Sequence, residues 1–196
     1  MIKLGLTGNI GSGKTTVSRI FESIGIPIFY ADLEAKKLYG LDSIKNKILS
    51  IFGNSVFNDN KEVDFKSLAN IVFNDKGKLK ELTNILHPMV FEVYSQWLET
   101  NSNEDYTIHE SAIIFEYSQQ HFFDKIVCVV SPTKLRIERV IKRDQISNDS
   151  VKERIDNQML QSEKESLSDF IISNDKNHML IPQVLKLHNL LTGQKK

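Results

Sequence analysis

Residues 5–16 read GLTGNIGSGKTT, and within them Gly8, Gly13, Lys14 and Thr15 hold the spacing G-x-x-x-x-G-K-T. In that pattern glycines free successive backbone N–H groups to point inward around the β- and γ-phosphates of a nucleotide. The helix that follows turns its positive end toward the same phosphates. Lys14 brings a mobile charge, and the Thr15 hydroxyl a hard oxygen suited to Mg²⁺. Asn9, Ile10, Gly11, Ser12 and Thr16 complete the predicted nucleotide-binding set. The flanks agree. Residues 1–7 (MIKLGLT) are a short apolar run suited to a buried strand, and residues 15–24 place Val17, Ile20, Phe21 and Ile24 at helical spacing. A Gly/Ser-rich turn matching by chance would not be expected to have a strand before it and a helix after it. The chain is therefore expected to bind a nucleoside triphosphate.

Outward from this loop the chain alternates strand and helix. Gly25 and Pro27 mark a turn, residues 27–30 (PIFY) begin a second strand, and Asp32 stands where that strand ends and a helix over 33–39 begins. Residues 42–100 have helical periodicity and almost no strand signal. Ile44, Ile48, Leu49 and Phe52 share one face, Leu68, Ile71 and Val72 a second, and Leu79, Leu82, Ile85 and Leu86 a third, with breaks at 58–61 and 74–77. His87-Pro88 is expected to close the third of these helices. Strands resume at 106–110 and 124–131, and again near 170–173. A basic helix is expected over 132–143, another helix over 151–161, and a last one over 184–191. Residues 101–105 and 194–196 read as loose. Such alternation predicts an α/β fold, a parallel sheet flanked by helices with right-handed crossovers. The phosphate loop and Asp32 both fall at carboxyl ends of strands, where such sheets bind ligands. The expected organisation is one domain: a core of about 1–41 and 104–196, a helical insertion of about 42–103, and a lid of about 139–160.

Composition narrows the function. The 196 residues carry 25 basic and 25 acidic side chains, so no global field draws nucleic acid or an acidic membrane. The lone cysteine, Cys128, lies in the apolar run 126–130 (IVCVV), where a buried thiol is expected rather than a nucleophile. One cysteine makes no internal disulfide, the N-terminal apolar stretch is too short for a secretory leader, and no segment reaches the ~20 apolar residues of a membrane span. A cytoplasmic protein is expected, a monomer or small homo-oligomer, whose partners are small molecules and not nucleic acid or membrane.

Asp32 is the first carboxylate after the loop. A small-molecule kinase needs a carboxylate to orient an acceptor hydroxyl and take its proton, whereas a local reading makes Asp32 a helix N-cap. Arg136, Arg139 and Arg143 fall at i, i+3 and i+7 on one helix, with Arg154 on the next. Planar, permanently charged donors on a segment that closes suit developing phosphoryl charge, against the alternative of a solvated basic face paired with Glu138 and Asp144. His87 reads as a polar group at a helix end. Glu110 ends a strand and is a candidate to hold a metal-bound water. Glu116 reads as a surface charge or a helix start.

Together these pieces resemble the dephospho-CoA kinase family over nearly the whole chain. That family opens GLTGGIGSGKST, matched here by GLTGNIGSGKTT with Asn9 in place of a glycine. Its Asp-Ala-Asp motif is Tyr30-Ala31-Asp32, retaining the second Asp, to which the family assigns the base role, and its following Arg is Lys36. Its Leu-x-x-Ile-x-His-Pro pattern is residues 82–88 (LTNILHP). Its Pro-Leu-Leu-Phe-Glu is residues 112–116 (AIIFE). Its Gln-x-x-Arg-x-x-x-Arg is Arg136-x-x-Arg139-x-x-x-Arg143, followed by Arg154-Ile155-x-x-Gln158. Its Ala-Asp-x-Val-Ile-x-Asn is residues 168–174 (SDFIISN). The resemblance implies a P-loop kinase fold with an inserted helical substrate-binding subdomain and an arginine-bearing lid. It implies phosphorylation of the ribose 3′-hydroxyl of dephospho-CoA by ATP with Mg²⁺, the last step of CoA biosynthesis. Lys14, Asp32, Arg139 and Arg143 would act in catalysis, His87 and Arg154 would join Asp32 in binding substrate, and Thr15 would meet the metal. Two alternatives remain. Another phosphate-loop nucleoside or nucleotide kinase would not be expected to carry residues 82–88. A GTP-dependent switch would carry Asn-Lys-x-Asp, where residues 173–176 read SNDK.

Overall fold

A computed structural model describes residues 1–193, the side chains of Phe73 and Lys76 excepted; residues 194–196, expected to be loose, lie outside it. Five strands, β1 (Ile2–Thr7), β2 (Ile28–Tyr30), β3 (Tyr106–Glu110), β4 (Lys125–Val130) and β5 (Phe170–Ser173), pair in parallel in the order β2-β3-β1-β4-β5. The helices are α1 (Lys14–Ser23), α2 (Ala31–Leu38), α3 (Asp42–Phe52), α4 (Phe65–Asn74), α5 (Lys76–Thr100), α6 (Thr133–Asp144), α7 (Asn148–Asp156), α8 (Gln161–Ser166) and α9 (Leu180–Leu191). This is the expected α/β parallel sheet flanked by helices.

The chain divides into two compact units: residues 1–30 with those from 101 onward, and Ala31–Thr100. In the first, every residue of β3 is buried, as a strand covered on both faces requires. Leu4 and Leu6 of β1 join Val17 and Phe21 of α1, Tyr106 and Ile108 of β3, Val127 and Val129 of β4, and Val184 and Leu187 of α9 in one core. The opposite face of β1 presents Gly5, whose missing Cβ leaves room for Ile114 and Phe123. Cys128 is fully buried, and burial pushes its thiol up to about 11, which leaves it a packing group.

The second unit is all helical apart from one isolated bridge, Phe57 to Val63. Ile44, Ile48 and Phe52 face inward as expected, but Leu49 is largely exposed. His87-Pro88 does not end a helix: α5 runs 25 residues with Pro88 inside it. Proline costs such a helix about 3 kcal/mol. The buried stripe Leu82, Leu86, Val90 and Tyr94, at i, i+4, i+8 and i+12, continues across it and outweighs that cost. His87 therefore has no helix terminus to favour its charged form; half-burial instead lowers its pKa and keeps it neutral.

His109 on β3 is buried between the rings of Phe29 and Phe123, with centroids 5.2 and 5.0 Å away. Desolvation pushes its pKa down to about 3. The unfolded chain takes up that proton below pH ~6.5 and the folded chain does not, so acid favours unfolding at about 1.4 kcal/mol per pH unit. Between pH 7 and pH 5 the loss is about 2 kcal/mol, or a thermal midpoint lower by roughly 4–8 °C. His109→Phe should flatten this slope in differential scanning calorimetry at the two pH values; an unchanged slope would contradict this reading.

Candidate active site

The loop after β1 sits where the sheet order reverses, β3 on one side and β4 on the other. Gly8 has φ 148°, and a Cβ there would collide with the Val129 carbonyl oxygen. The chain enters α1 through Gly13 in a left-handed conformation, with no side chain capping the helix and no acidic residue in its first turn. The positive end of α1 is thus left for an anion. Lys14 does not extend into solvent as a free charge. It is half-buried, and its Nζ donates to the Gly8 carbonyl at 2.9 Å, folding back across its own loop. Thr15 and Thr16 are exposed in the same turn. A single hydroxyl there fits Mg²⁺, a cation that keeps phosphate oxygens and waters as most of its ligands.

Helix α6 lies directly against the loop. Gly11 has φ 77°, and a Cβ on it would come within 2.5 Å of the Arg136 carbonyl oxygen. Arg139 is the fastening. Its Nη1 donates to the Gly11 carbonyl at 3.2 Å and to Ser131 Oγ at 3.0 Å, and its Nη2 to the Asn174 carbonyl at 3.2 Å and Oδ1 at 3.3 Å. Asn174 Nδ2 in turn donates to the Ser12 carbonyl at 2.7 Å. Asn174, within residues 173–176, therefore serves the phosphate loop.

Arg136 does not join Arg139 and Arg143. It is 4% exposed, donates through Nη2 to Thr133 Oγ1 at 3.1 Å, and leaves Nε and Nη1 without partners among the described residues. Desolvation lowers its pKa. Arg143 and Arg154 meet on one carboxylate, Asp144, at 2.7 and 3.0 Å, and the Arg143 hydrogen bond first, then the two positive charges, hold Asp144 below the usual carboxylate range. The helix expected over 151–161 is broken: α7 ends at Asp156 and α8 begins at Gln161. In the gap Gln158 Oε1 accepts the Ile10 N–H at 2.8 Å, while Asn9 Nδ2 donates to the Met159 carbonyl at 2.8 Å. The buried Asn9 and Ser12 side chains thus belong to the scaffold of the loop.

These geometries separate two arginines that the sequence treats alike. Arg139→Ala should cost both activity and stability, because its bonds to the loop at Gly11 and Ser12, to Ser131 and to Asn174 go with it. Arg143 is exposed, and an exposed ion pair contributes at most about 1 kcal/mol. Arg143→Ala should therefore keep its thermal midpoint within a few degrees of the parent while kcat falls at least ~10-fold. Unfolding as the main effect of Arg143→Ala would make the residue structural.

Asp32 is exposed and is the second residue of α2, which starts directly after β2. It lies inside the first turn, where a carboxylate favours the helix dipole, and does not cap from outside. Tyr30 of β2 and Leu6 of β1 are both in register with Glu110 of β3, so Glu110 is buried at the carboxyl ends of adjoining strands. His87 and Asp32 belong to the helical unit; the loop, Arg139, Arg143 and Arg154 belong to the sheet unit.

Comparison with known proteins agrees with this arrangement. The family model described as dephospho-CoA kinase matches residues 2–179. A dephospho-CoA kinase of Bacteroides fragilis is 37% identical over 187 residues, covering 95% of this chain and 91% of that one. A crystal structure from Thermus thermophilus superposes with a TM-score of 0.87 at 27% identity, over 100% of this chain and 98% of the other. A dephospho-CoA kinase from Campylobacter jejuni gives 0.70 at 26% identity, over 98% of each. With its phosphate loop seated between β1 and an uncapped α1, this chain belongs to the dephospho-CoA kinase family.

Proposed function

We propose that the protein transfers the γ-phosphoryl group of ATP to the ribose 3′-hydroxyl of dephospho-CoA, giving coenzyme A and ADP. The observation that carries this reading is the family match across residues 2–179, on a chain whose phosphate loop leads into a helix with no side-chain cap. Backbone N–H groups of the loop other than that of Ile10, which Gln158 takes, and those of Ser12 and Thr16, which bond within the loop, hold the phosphates together with Lys14. Asp32 orients the acceptor hydroxyl, whose oxygen attacks the γ-phosphorus as the bond to the β,γ-bridging oxygen breaks, and takes the released proton. Arg139 and Arg143 stabilise charge on the transferring group. Thr15 would give a bound Mg²⁺ its oxygen ligand from the protein, and that ion would supply positive charge to offset the phosphate charge.

The helical unit Ala31–Thr100 would hold the pantetheine side of the acceptor, with His87 and Arg154 among the residues that bind it. No described helix is long and apolar enough to cross a membrane. A coupled ADP-release assay offering dephospho-CoA, adenosine, AMP and shikimate in parallel tests the proposal. Dephospho-CoA should be preferred by orders of magnitude. Equal or better turnover of another acceptor would overturn it.

A further inference from the structure

The break between α7 and α8 is held in place by more than its own turn. Glu116 Oε1 accepts the Met159 N–H at 3.1 Å and the Lys164 ammonium at 2.6 Å. Lys164 is fully buried and also donates to the Ala112 carbonyl at 2.6 Å. The Met159 side chain packs against the apolar cluster of Ile114, Phe115 and Ile126. A buried ion pair is expensive to assemble and strongly destabilising to break on one side. Such a pair therefore fixes a short segment firmly. From that fixed segment two bonds reach the phosphate loop: Gln158 Oε1 to the Ile10 N–H, and the Met159 carbonyl to Asn9 Nδ2, both at 2.8 Å. Asn9 is 2% exposed, so its side chain is turned inward to this contact and not outward to a ligand. It also occupies the position at which the family pattern has glycine, which has no side chain to make the bond.

We propose that residues 157–160 are a clasp that holds the first half of the phosphate loop in its nucleotide-accepting shape, with Gln158 and Asn9 as positioning residues and the Glu116–Lys164 pair as their anchor. The site so positioned is the nucleotide site of the proposed reaction, and the inference rests on that reading of the loop. Backbone N–H groups bind phosphate only when their directions are set beforehand, and displacements of about 1 Å at such a site are costly. A loop containing three positive-φ glycines, Gly8, Gly11 and Gly13, has wide conformational freedom unless it is tied at several points. Arg139 and Asn174 tie its second half, at Gly11 and Ser12. The clasp ties its first half, at Asn9 and Ile10.

The test is nucleotide binding and steady-state kinetics of Gln158→Ala, Gln158→Glu, Asn9→Gly and the double variant Asn9→Gly/Gln158→Ala. Affinity for ADP and for a non-hydrolysable ATP analogue, read by titration calorimetry, should fall about 10-fold in Gln158→Ala and ~3-fold in Asn9→Gly. The double variant should fall by less than the product, since each bond restrains the same stretch of loop. Gln158→Glu keeps an acceptor for the Ile10 N–H but brings negative charge to the nucleotide site. It should weaken the triphosphate analogue more than ADP, with an effect reduced by salt. The KM for the acceptor should stay within ~2-fold of the parent in every variant. Nucleotide affinities unchanged in both Gln158 variants, or acceptor and nucleotide KM rising together with a collapsing thermal midpoint, would overturn the clasp. Because the calorimetric readout needs no acceptor, failure to phosphorylate dephospho-CoA would overturn the proposed reaction and leave the clasp tested separately.

Discussion

Asp32→Asn is expected to lower kcat at least ~10²-fold while ATP and dephospho-CoA bind nearly as they do to the parent. The substitution keeps size and the ability to accept a hydrogen bond but removes the charge that orients and deprotonates the hydroxyl. Asp32 is exposed and lies in the first turn of α2 beside Glu34, so losing its interaction with the helix dipole costs only about 0.3–1 kcal/mol. That is a fall in thermal midpoint of a few degrees at most. The two roles thus separate by magnitude: a positional helix contribution moves the melting curve slightly, whereas a base moves kcat by orders of magnitude. Single-turnover kinetics with saturating substrates measures the chemical step directly. Near-normal turnover in Asp32→Asn would leave the residue with its helical role alone.

Lys14→Ala should likewise abolish turnover, with a loss of 10²-fold or more, the usual scale for removing one positioned donor from a developing oxyanion. Here the ammonium is held at the Gly8 carbonyl, 2.9 Å away, and must exchange that partner for phosphate oxygens. The alanine variant loses one neutral-to-charged hydrogen bond from the free protein, so its stability should change by about 1–3 kcal/mol. Circular dichroism should show the parent fold, and the deficit should lie mostly in kcat and not in acceptor KM. An active Lys14→Ala enzyme would exclude this loop as the reaction centre.

The parts legible from the sequence are those in which chemistry and periodicity coincide. The phosphate loop was legible because glycine and lysine at fixed spacing have one strong physical reading. β3 is legible to the residue, and β5 to its neighbourhood, because short β-branched or aromatic runs between polar breaks favour strands. Pro88 misled because a local rule lost to a long-range one: the apolar stripe on α5 continues past it. Lys164 was invisible for the opposite reason. It lies between Glu163 and Glu165 and reads as part of a solvated face, yet folding brings Glu116, 48 positions earlier in the chain (164 − 116), to its ammonium. Arg136 shares its helix with Arg139 and Arg143, and spacing does not reveal which side of α6 meets the core.

The order of the sheet also dictates how this protein is made. β1 is synthesised before the other four strands and ends up in the middle, with its first ladder partner at Tyr106 and its second at Lys125. At a ribosomal pace of about 5–20 residues per second, the nascent β1 and α1 wait several seconds or more before either neighbour emerges. Residues 31–100 need no such wait, since α2 through α5 pack among themselves within one continuous stretch of chain. The nucleotide loop, attached to the earliest strand, is therefore among the last parts to gain its final form. Truncation after Thr100 would leave β1 as an unpaired apolar strand, an invitation to aggregation.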